Sequence, residues 1–225
     1  MSFIPNWYLD SIFPEGEERL FTTGRKLPDK VDSSGFLKPF FGETTVFLLS
    51  DGLKDALIES QNRLYEKAGD MLCVQRLSRD SLHMTLHDLW NEGERETRPA
   101  PAYSHEQVCR VLESIRRDYP DGVRLRAICT MNMVNTSVVM GLIPASEPDG
   151  WSLSDMYSRL DELHPLGYGL TPHITLAYYR PGVYTEDKWS RLKEAFEVTG
   201  YSFALSAEAL HFQRFYDMER YETVY

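Results

Sequence analysis

Ser81-Leu82-His83-Met84-Thr85-Leu86 and Thr171-Pro172-His173-Ile174-Thr175-Leu176 are two stretches that share the pattern His-x-Thr-Leu. The chain has 225 residues and six histidines, so composition alone does not explain two matching copies. In each copy apolar residues alternate with histidine and threonine, which predicts a β-strand. Because residues i and i+2 share one face of a strand, each histidine should stand beside its threonine.

Two such strands lying side by side would surround one small anion with two imidazoles and two hydroxyls. Imidazole titrates near neutral pH, so one ring can hold a proton while the other accepts one. A threonine hydroxyl can donate a hydrogen bond to a phosphate oxygen. This combination favours phosphoester chemistry. The alternative is a pair of buried strands in which histidine and threonine only satisfy each other's hydrogen bonds.

The paired motifs resemble those of the two-histidine phosphoesterase superfamily. Its members include bacterial 2′-5′ RNA ligase-like proteins, cyclic nucleotide phosphodiesterases of RNA processing, and enzymes that degrade 2′,5′-oligoadenylates. The resemblance extends from about residue 44 to the C-terminus and is specific at the two motifs. The stretch 172–178, Pro-His-Ile-Thr-Leu-Ala-Tyr, is particularly similar to the second motif of little-characterised bacterial members.

The resemblance implies a bilobal α+β fold with two mainly antiparallel sheets, outer helices and a central groove where the motif strands meet. It also implies a metal-independent phosphodiesterase that needs no cofactor. The substrate would be a 2′,3′-cyclic phosphate at an RNA end, a 2′-5′ linkage or a small cyclic nucleotide. His83 and His173 would serve as acid and base, and Thr85 and Thr175 would hold non-bridging phosphate oxygens. The two halves look too alike to tell which histidine is the acid.

Residues close to the motifs are candidate substrate-binding groups. Arg79 precedes the first motif and Arg180 follows the second, and either guanidinium could bind phosphate. His87 shares the predicted strand face of His83 and Thr85, so it could line the end of the groove. Aromatic side chains could stack on a base. The candidates are Phe47, Tyr168, Tyr178 and Tyr179.

A metal site is the main alternative chemistry for the same residues. His83, His87 and His173 could resemble a three-histidine zinc set. Four residues of strand, however, span ~13 Å, which is too far for His83 and His87 to contact one ion. We therefore expect no metal ligands among these histidines.

Two other functions are compatible with the motifs. One is a nucleotide- or RNA-end-binding module that has lost catalysis, and the other is an RNA-end (2′-5′) ligase that runs the reverse reaction. A binding module does not need two titrating groups, so the intact motifs favour an enzyme.

Composition and net charge limit the classes of molecule that the protein is expected to bind. The net charge is −10, whereas proteins that grip extended nucleic acid usually have a basic surface. We expect a nucleotide or RNA-end substrate, no extended duplex, and a monomer. No apolar run approaches the ~20 residues of a membrane span, so we expect no membrane association. The first residues do not resemble a signal peptide and the three cysteines are widely spaced, which together favour the cytoplasm.

A strand, a helix and a motif strand follow one another twice, over residues 44–88 and 137–179. Between these two units, Ser104 and Gln107 form a capping-box pattern that predicts the start of a helix. Residues 123–143 read as a hairpin. Further along, the pattern predicts a helix near residues 187–196 and terminal strands around residues 207–215.

The first 42 residues differ from the rest of the chain. They contain several prolines, yet they are too aromatic for a disordered tail. We therefore predict an ordered N-terminal arm over residues 1–42 that packs on the body. A single bilobal domain is predicted over residues 43–225.

Overall fold

The computed structural model of the protein describes residues 20–225. Ten strands and five α-helices follow one another along this part of the chain. The strands are β1 (Phe21–Thr22), β2 (Gly42–Leu48), β3 (His83–His87), β4 (Val123–Met133), β5 (Ser137–Pro144), β6 (His173–Tyr178), β7 (Val183–Tyr184), β8 (Ser202–Leu205), β9 (Leu210–Phe215) and β10 (Tyr221–Thr223). The helices are α1 (Leu27–Lys30), α2 (Asp51–Ala68), α3 (His105–Asp118), α4 (Glu147–Asp161) and α5 (Glu186–Glu194).

Eight strands form one antiparallel sheet in the order β10–β9–β2–β3–β6–β5–β4–β8. The motif strands β3 and β6 lie at its centre, so each is the inner strand of a four-stranded half. Met84 and Ile174 form the backbone pair that joins the two halves. The predicted α+β class with mainly antiparallel strands is confirmed, and the two expected lobes are the two halves of a continuous sheet.

Each half contains the predicted strand–helix–motif strand unit. The first unit is β2, α2 and β3, and the second is β5, α4 and β6. Both long helices form here because apolar residues recur at helical spacing and are buried. The buried residues include Leu53, Leu57 and Leu64 of α2, and Leu153, Met156 and Leu160 of α4.

The local signals between the two units are also confirmed. Gln107 donates its backbone N–H to the Ser104 hydroxyl at 3.2 Å, and its side chain accepts the Ser104 N–H at 2.7 Å. This capping box begins α3. The predicted hairpin is β4 and β5, and Asn135 in its turn has a φ of 57°, which asparagine tolerates. The edge strands β8 and β10 were not anticipated, because four and three residues are too few to show a period.

The segment before β2 is held against the rest of the chain from residue 20 onward. β1 pairs with β7, and Phe21 stacks on Trp189 with ring centroids 4.4 Å apart. Leu27 of α1 is fully buried. Residues 1–19 of the predicted arm lie outside the described residues, and the division of the chain at residue 42 stays a prediction.

Two observations bear on the expected surroundings of the protein. Among residues 20–225, no helix combines the length and the apolar character needed to cross a bilayer. The three cysteines are free thiols, and burial raises the pKa of Cys73 to about 12, which makes it a poor nucleophile at neutral pH.

Met84→Ala should lower the free energy of unfolding by about 2–5 kcal/mol, because it leaves a cavity beside the pair that joins the two halves. Met84→Leu nearly keeps the volume and should cost less than about 1.5 kcal/mol. Urea unfolding followed by circular dichroism measures both changes. An alanine variant as stable as the wild type would show that the junction does not depend on this side chain.

Candidate active site

The four motif side chains line one groove at the centre of the sheet. They are His83, Thr85, His173 and Thr175. Because Met84 pairs with Ile174 in antiparallel register, His83 lies across from Thr175, and Thr85 lies across from His173. Met84 and Ile174 are fully buried on one face, so the motif side chains project from the other. The result is a two-by-two array in which the imidazoles occupy one diagonal and the hydroxyls the other.

The two imidazoles are held in the same way. Nδ1 of His83 lies 2.7 Å from the carbonyl oxygen of Ser81, and Nδ1 of His173 lies 2.7 Å from that of Thr171. A carbonyl oxygen only accepts, so Nδ1 carries the hydrogen in both rings. In the neutral ring Nε2 therefore keeps its lone pair, and in the described part of the chain neither Nε2 is bonded to protein. Each motif offers one proton acceptor to a ligand in the groove.

The threonine hydroxyls are also available to a ligand. Within residues 20–225, neither Thr85 nor Thr175 uses its hydroxyl in a hydrogen bond to protein. The structure therefore does not support the alternative in which the histidine and threonine of each motif satisfy each other's hydrogen bonds. The rings bond to backbone carbonyl oxygens instead, and both hydroxyls remain beside the groove.

Burial lowers the pKa of both motif histidines. It lowers the pKa of His83 to about 4, with the hydrogen bond to Ser81 opposing the shift and the charge of His173 adding to it. Burial also lowers the pKa of His173, where the bond to Thr171 and the charge of Asp88 oppose the shift and the charge of Lys30 adds to it. Both rings are thus neutral at pH 7 when the groove holds no anion.

The groove has a volume of about 550 Å³, which suits a small ligand of nucleotide size. Its lining is aromatic and carries balanced charge. The aromatic side chains are Phe40, Tyr157, Tyr168, Tyr178, Phe215 and Tyr221. The charged side chains are Lys26, Asp29, Lys30 and Asp88. Two cations and two carboxylates do not form the basic track that extended nucleic acid requires.

The structure does not bring the two predicted arginines to the groove. Arg79 pairs with Asp51 at 2.9 Å and with Asp55 at 2.7 Å, both on the first turns of α2. Arg180 donates from Nε to the carbonyl oxygen of Ser33 at 3.0 Å. Neither guanidinium lines the cavity. Closeness in sequence to a motif was a poor guide, because the chain leaves the groove face where each motif strand begins or ends.

The aromatic candidates divide between the groove and the core. Tyr178 and Tyr168 line the cavity. Tyr179 is fully buried and packs edge-on against Phe21, and Phe47 is fully buried as well. The prediction of substrate contact for Tyr179 is therefore wrong, because consecutive residues of a strand point to opposite faces.

His87 forms part of the groove wall, but its ring is not available to a substrate. Its Nδ1 accepts the backbone N–H of Leu89 at 3.1 Å, and its Nε2 lies 3.2 Å from a carboxylate oxygen of Asp161. Nε2 thus links β3 to the end of α4, whereas Nδ1 holds the turn at Leu89, and this engagement of both nitrogens corrects the expectation of a binding residue. In residues 20–225, moreover, no three His, Cys, Asp or Glu side chains are arranged to hold a metal ion.

Sequence reasoning missed several groove residues, of which Asp88, Tyr221 and Lys30 bear most on the site. Asp88 accepts a hydrogen bond from the Tyr168 hydroxyl at 3.2 Å. The ring of Tyr221 packs edge-on against His83, with centroids 4.7 Å apart. Lys30 enters the groove from α1. Asp88 could have been found, since it directly follows the first motif strand, but Lys30 and Tyr221 are far from the motifs in sequence and carry no local signal.

His83→Gln should make stability less sensitive to acid. The unfolded chain protonates this histidine near pH 6.5, whereas the folded protein does so near pH 4. Between these values the unfolded state binds more protons, so the free energy of unfolding falls as the pH falls through this window, by up to about 3 kcal/mol. Urea unfolding at pH 7 and pH 4.5 measures the loss. An equal loss in the variant and the wild type would contradict the lowered pKa.

Comparison with known proteins identifies the fold. No family model and no curated protein matches the chain, but solved structures do. ATU0111 of Agrobacterium tumefaciens, a conserved protein of unknown function, is similar over 90% of this chain and 92% of its own, with a TM-score of 0.60 and 17% identity. TT0787 of Thermus thermophilus is similar over 82% of this chain and 95% of its own, with a TM-score of 0.53 and 15% identity. LigT of Escherichia coli is similar over 84% of this chain and 96% of its own, with a TM-score of 0.50 and 16% identity. The chain therefore shares its fold with these three proteins.

Proposed function

We propose that the protein is a metal-independent phosphodiesterase that acts on a 2′,3′-cyclic phosphate, a 2′-5′ linkage or a small cyclic nucleotide. The observation that supports this most directly is the matched pair of imidazoles. In both, Nδ1 is bonded to the carbonyl oxygen two residues earlier, and Nε2 is left to a ligand. Two free threonine hydroxyls complete the array. The fold shared with LigT is consistent with this activity.

The diagonal arrangement suits in-line displacement at phosphorus. With the phosphate over the centre of the array, one Nε2 removes the proton of the attacking water. The other imidazole, protonated, gives its proton to the leaving ribose oxygen as the phosphorus–oxygen bond breaks. Each of these transfers typically contributes 10²–10⁴-fold to the rate. Because both rings have the same hydrogen-bonding arrangement, either can fill either role, depending on which ester bond faces it.

The negative charge of the bound substrate allows one imidazole to act as the acid. Both imidazoles are neutral in the free protein because burial lowers their pKa values. A phosphodiester brings a negative charge into the groove, and a nearby anion favours the protonated ring. Binding therefore raises the pKa of the imidazoles and allows one of them to hold a proton. The hydroxyls of Thr85 and Thr175 then donate to the non-bridging oxygens, where charge grows in the transition state.

The pH profiles should reflect these shifts. kcat/KM should be bell-shaped with its maximum below about pH 6.5, since it depends on one neutral and one protonated imidazole in the free protein. The maximum of kcat should lie at a higher pH, because bound phosphate raises both pKa values. Initial rates across pH 4 to 9 measure the two profiles. If kcat and kcat/KM reached their maxima at the same pH, the charge of the substrate would not be what raises the pKa of the acidic imidazole.

Replacement of the motif residues should separate their roles. His83→Ala and His173→Ala should each reduce kcat by about 10²–10⁴-fold, because each removes a proton-transfer group. Thr85→Ala and Thr175→Ala should cost about 10- to 100-fold, since each removes one hydrogen bond to a charged oxygen. His211→Gln is the matched control, because this histidine does not line the groove. Near-normal turnover without His173 would make the second motif structural.

A substrate screen tests the proposal as a whole. Nucleoside 2′,3′-cyclic phosphates, 2′-5′-linked dinucleotides and 3′,5′-cyclic nucleotides are incubated with the wild type and with His83→Ala, with and without EDTA. We expect hydrolysis of at least one class by the wild type, unchanged by EDTA. Activity lost with chelator and restored by zinc would replace the metal-independent mechanism. Binding by both proteins with turnover by neither would establish a binding module, and joining of RNA ends would establish a ligase.

A further inference from the structure

Lys30 brings its ammonium group into the groove. It ends the short helix α1, and its side chain lines the same cavity as the four motif side chains. Its Nζ lies over the ring of Phe40, 5.1 Å from the centroid, and 6.0 Å from that of Tyr178. Among the described residues it has no hydrogen-bonding partner and no carboxylate within ion-pairing distance.

An ammonium group in such a place is destabilised until an anion joins it. Water is partly replaced around it by two aromatic faces, whose attraction for a cation compensates only in part. Burial accordingly lowers the pKa of Lys30, the charges of Asp88 and Asp29 oppose that shift, and the charge of Lys26 adds to it. The same ammonium disfavours protonation of His173, so its field reaches the motif array. A phosphate held by that array is the anion that this geometry accommodates.

The position of Lys30 is fixed by the backbone on both sides of it. Before it, Gly24 donates its N–H to the carbonyl oxygen of Asn135 at 2.7 Å, next to the strand pair β1–β7. After it, Val31 and Leu37 form a bridge, and Lys38 donates its N–H to the carbonyl oxygen of Lys30 at 2.8 Å. Leu27 anchors α1 in the core. The Lys30 side chain therefore extends into the groove from a backbone segment that is hydrogen-bonded on both sides.

We propose that Lys30 is the cationic partner of the substrate phosphate, so that the segment before β2 completes a site whose other parts come from the two motif strands. This inference rests on the proposed function in that it places the phosphate over the array. As water adds to phosphorus, negative charge grows on the non-bridging oxygens, and Lys30 stabilises it together with the two threonine hydroxyls. It adds a permanent positive charge beside the array, which the threonine hydroxyls do not supply.

The test measures binding of inorganic phosphate to the full chain by NMR of the histidine imidazoles at low ionic strength. Lys30→Gln should raise the dissociation constant for phosphate by about 10- to 100-fold. Lys30→Arg keeps the charge, so its dissociation constant should stay within about threefold of the wild-type value. Lys67→Gln is the matched control: it removes one positive charge from an exposed position on α2. In Lys30→Gln the pKa of His173 should also rise, a change that a purely structural role would not produce.

Unchanged phosphate affinity and an unchanged pKa of His173 in Lys30→Gln would overturn the inference. An equal loss of phosphate affinity in Lys67→Gln would overturn it too, because the loss would then follow from the net charge of the protein and not from the position of Lys30. Thermal unfolding checks that the variants are folded, and Lys30→Met, which keeps the apolar stem, gives the same comparison should the glutamine variant fail to fold. If phosphate binding depends on Lys30 but no diester is hydrolysed by the wild type, the proposed function fails and the Lys30 site stands.

Discussion

The backbone pair between Met84 and Ile174 is the constraint on which the groove depends. It joins two four-stranded halves into one sheet, and it sets which residues of β3 and β6 share a face. Because the side-chain period of a strand is two, a slip of one residue by either strand would turn its two motif side chains into the core. Burial of both apolar side chains of the pair opposes such a slip, so the same packing that stabilises the sheet also aligns the site.

The electrostatics of the groove follow from that alignment. On this partly buried face, burial disfavours protonation of both imidazoles, and the charge of His173, diagonally opposite, further disfavours that of His83. The bonds from Nδ1 to Ser81 and Thr171 fix the tautomer without adding a charge. Asp88 and Lys30 then act in opposite senses on His173. The groove is therefore close to neutral, although the chain as a whole carries a charge of −10.

What could be predicted from the sequence is what depends on short-range periodicity. Alternation around His83 and His173 was enough to give the strands and the shared face, and Ser104 with Gln107 was enough to begin α3. The failures have one physical origin, which is that a pocket is assembled in space. Arg79 and Tyr179 are near the motifs in sequence but turn toward α2 and the core. Lys30 and Tyr221 reach the groove through tertiary packing that no local pattern encodes.

The approximate two-fold symmetry of the motif array has a consequence for the identity of the product. Rotation about the midpoint of the Met84–Ile174 pair exchanges the two histidines, so the motifs alone would accept a cyclic diester in two opposite orientations. The surroundings do not share this symmetry, since Tyr221 packs on His83 while the charge of Lys30 acts on His173. If the protein opens a cyclic diester as proposed, the residues that break the symmetry decide whether a 2′- or a 3′-phosphate is released, and two chains with identical motifs could then make different isomers.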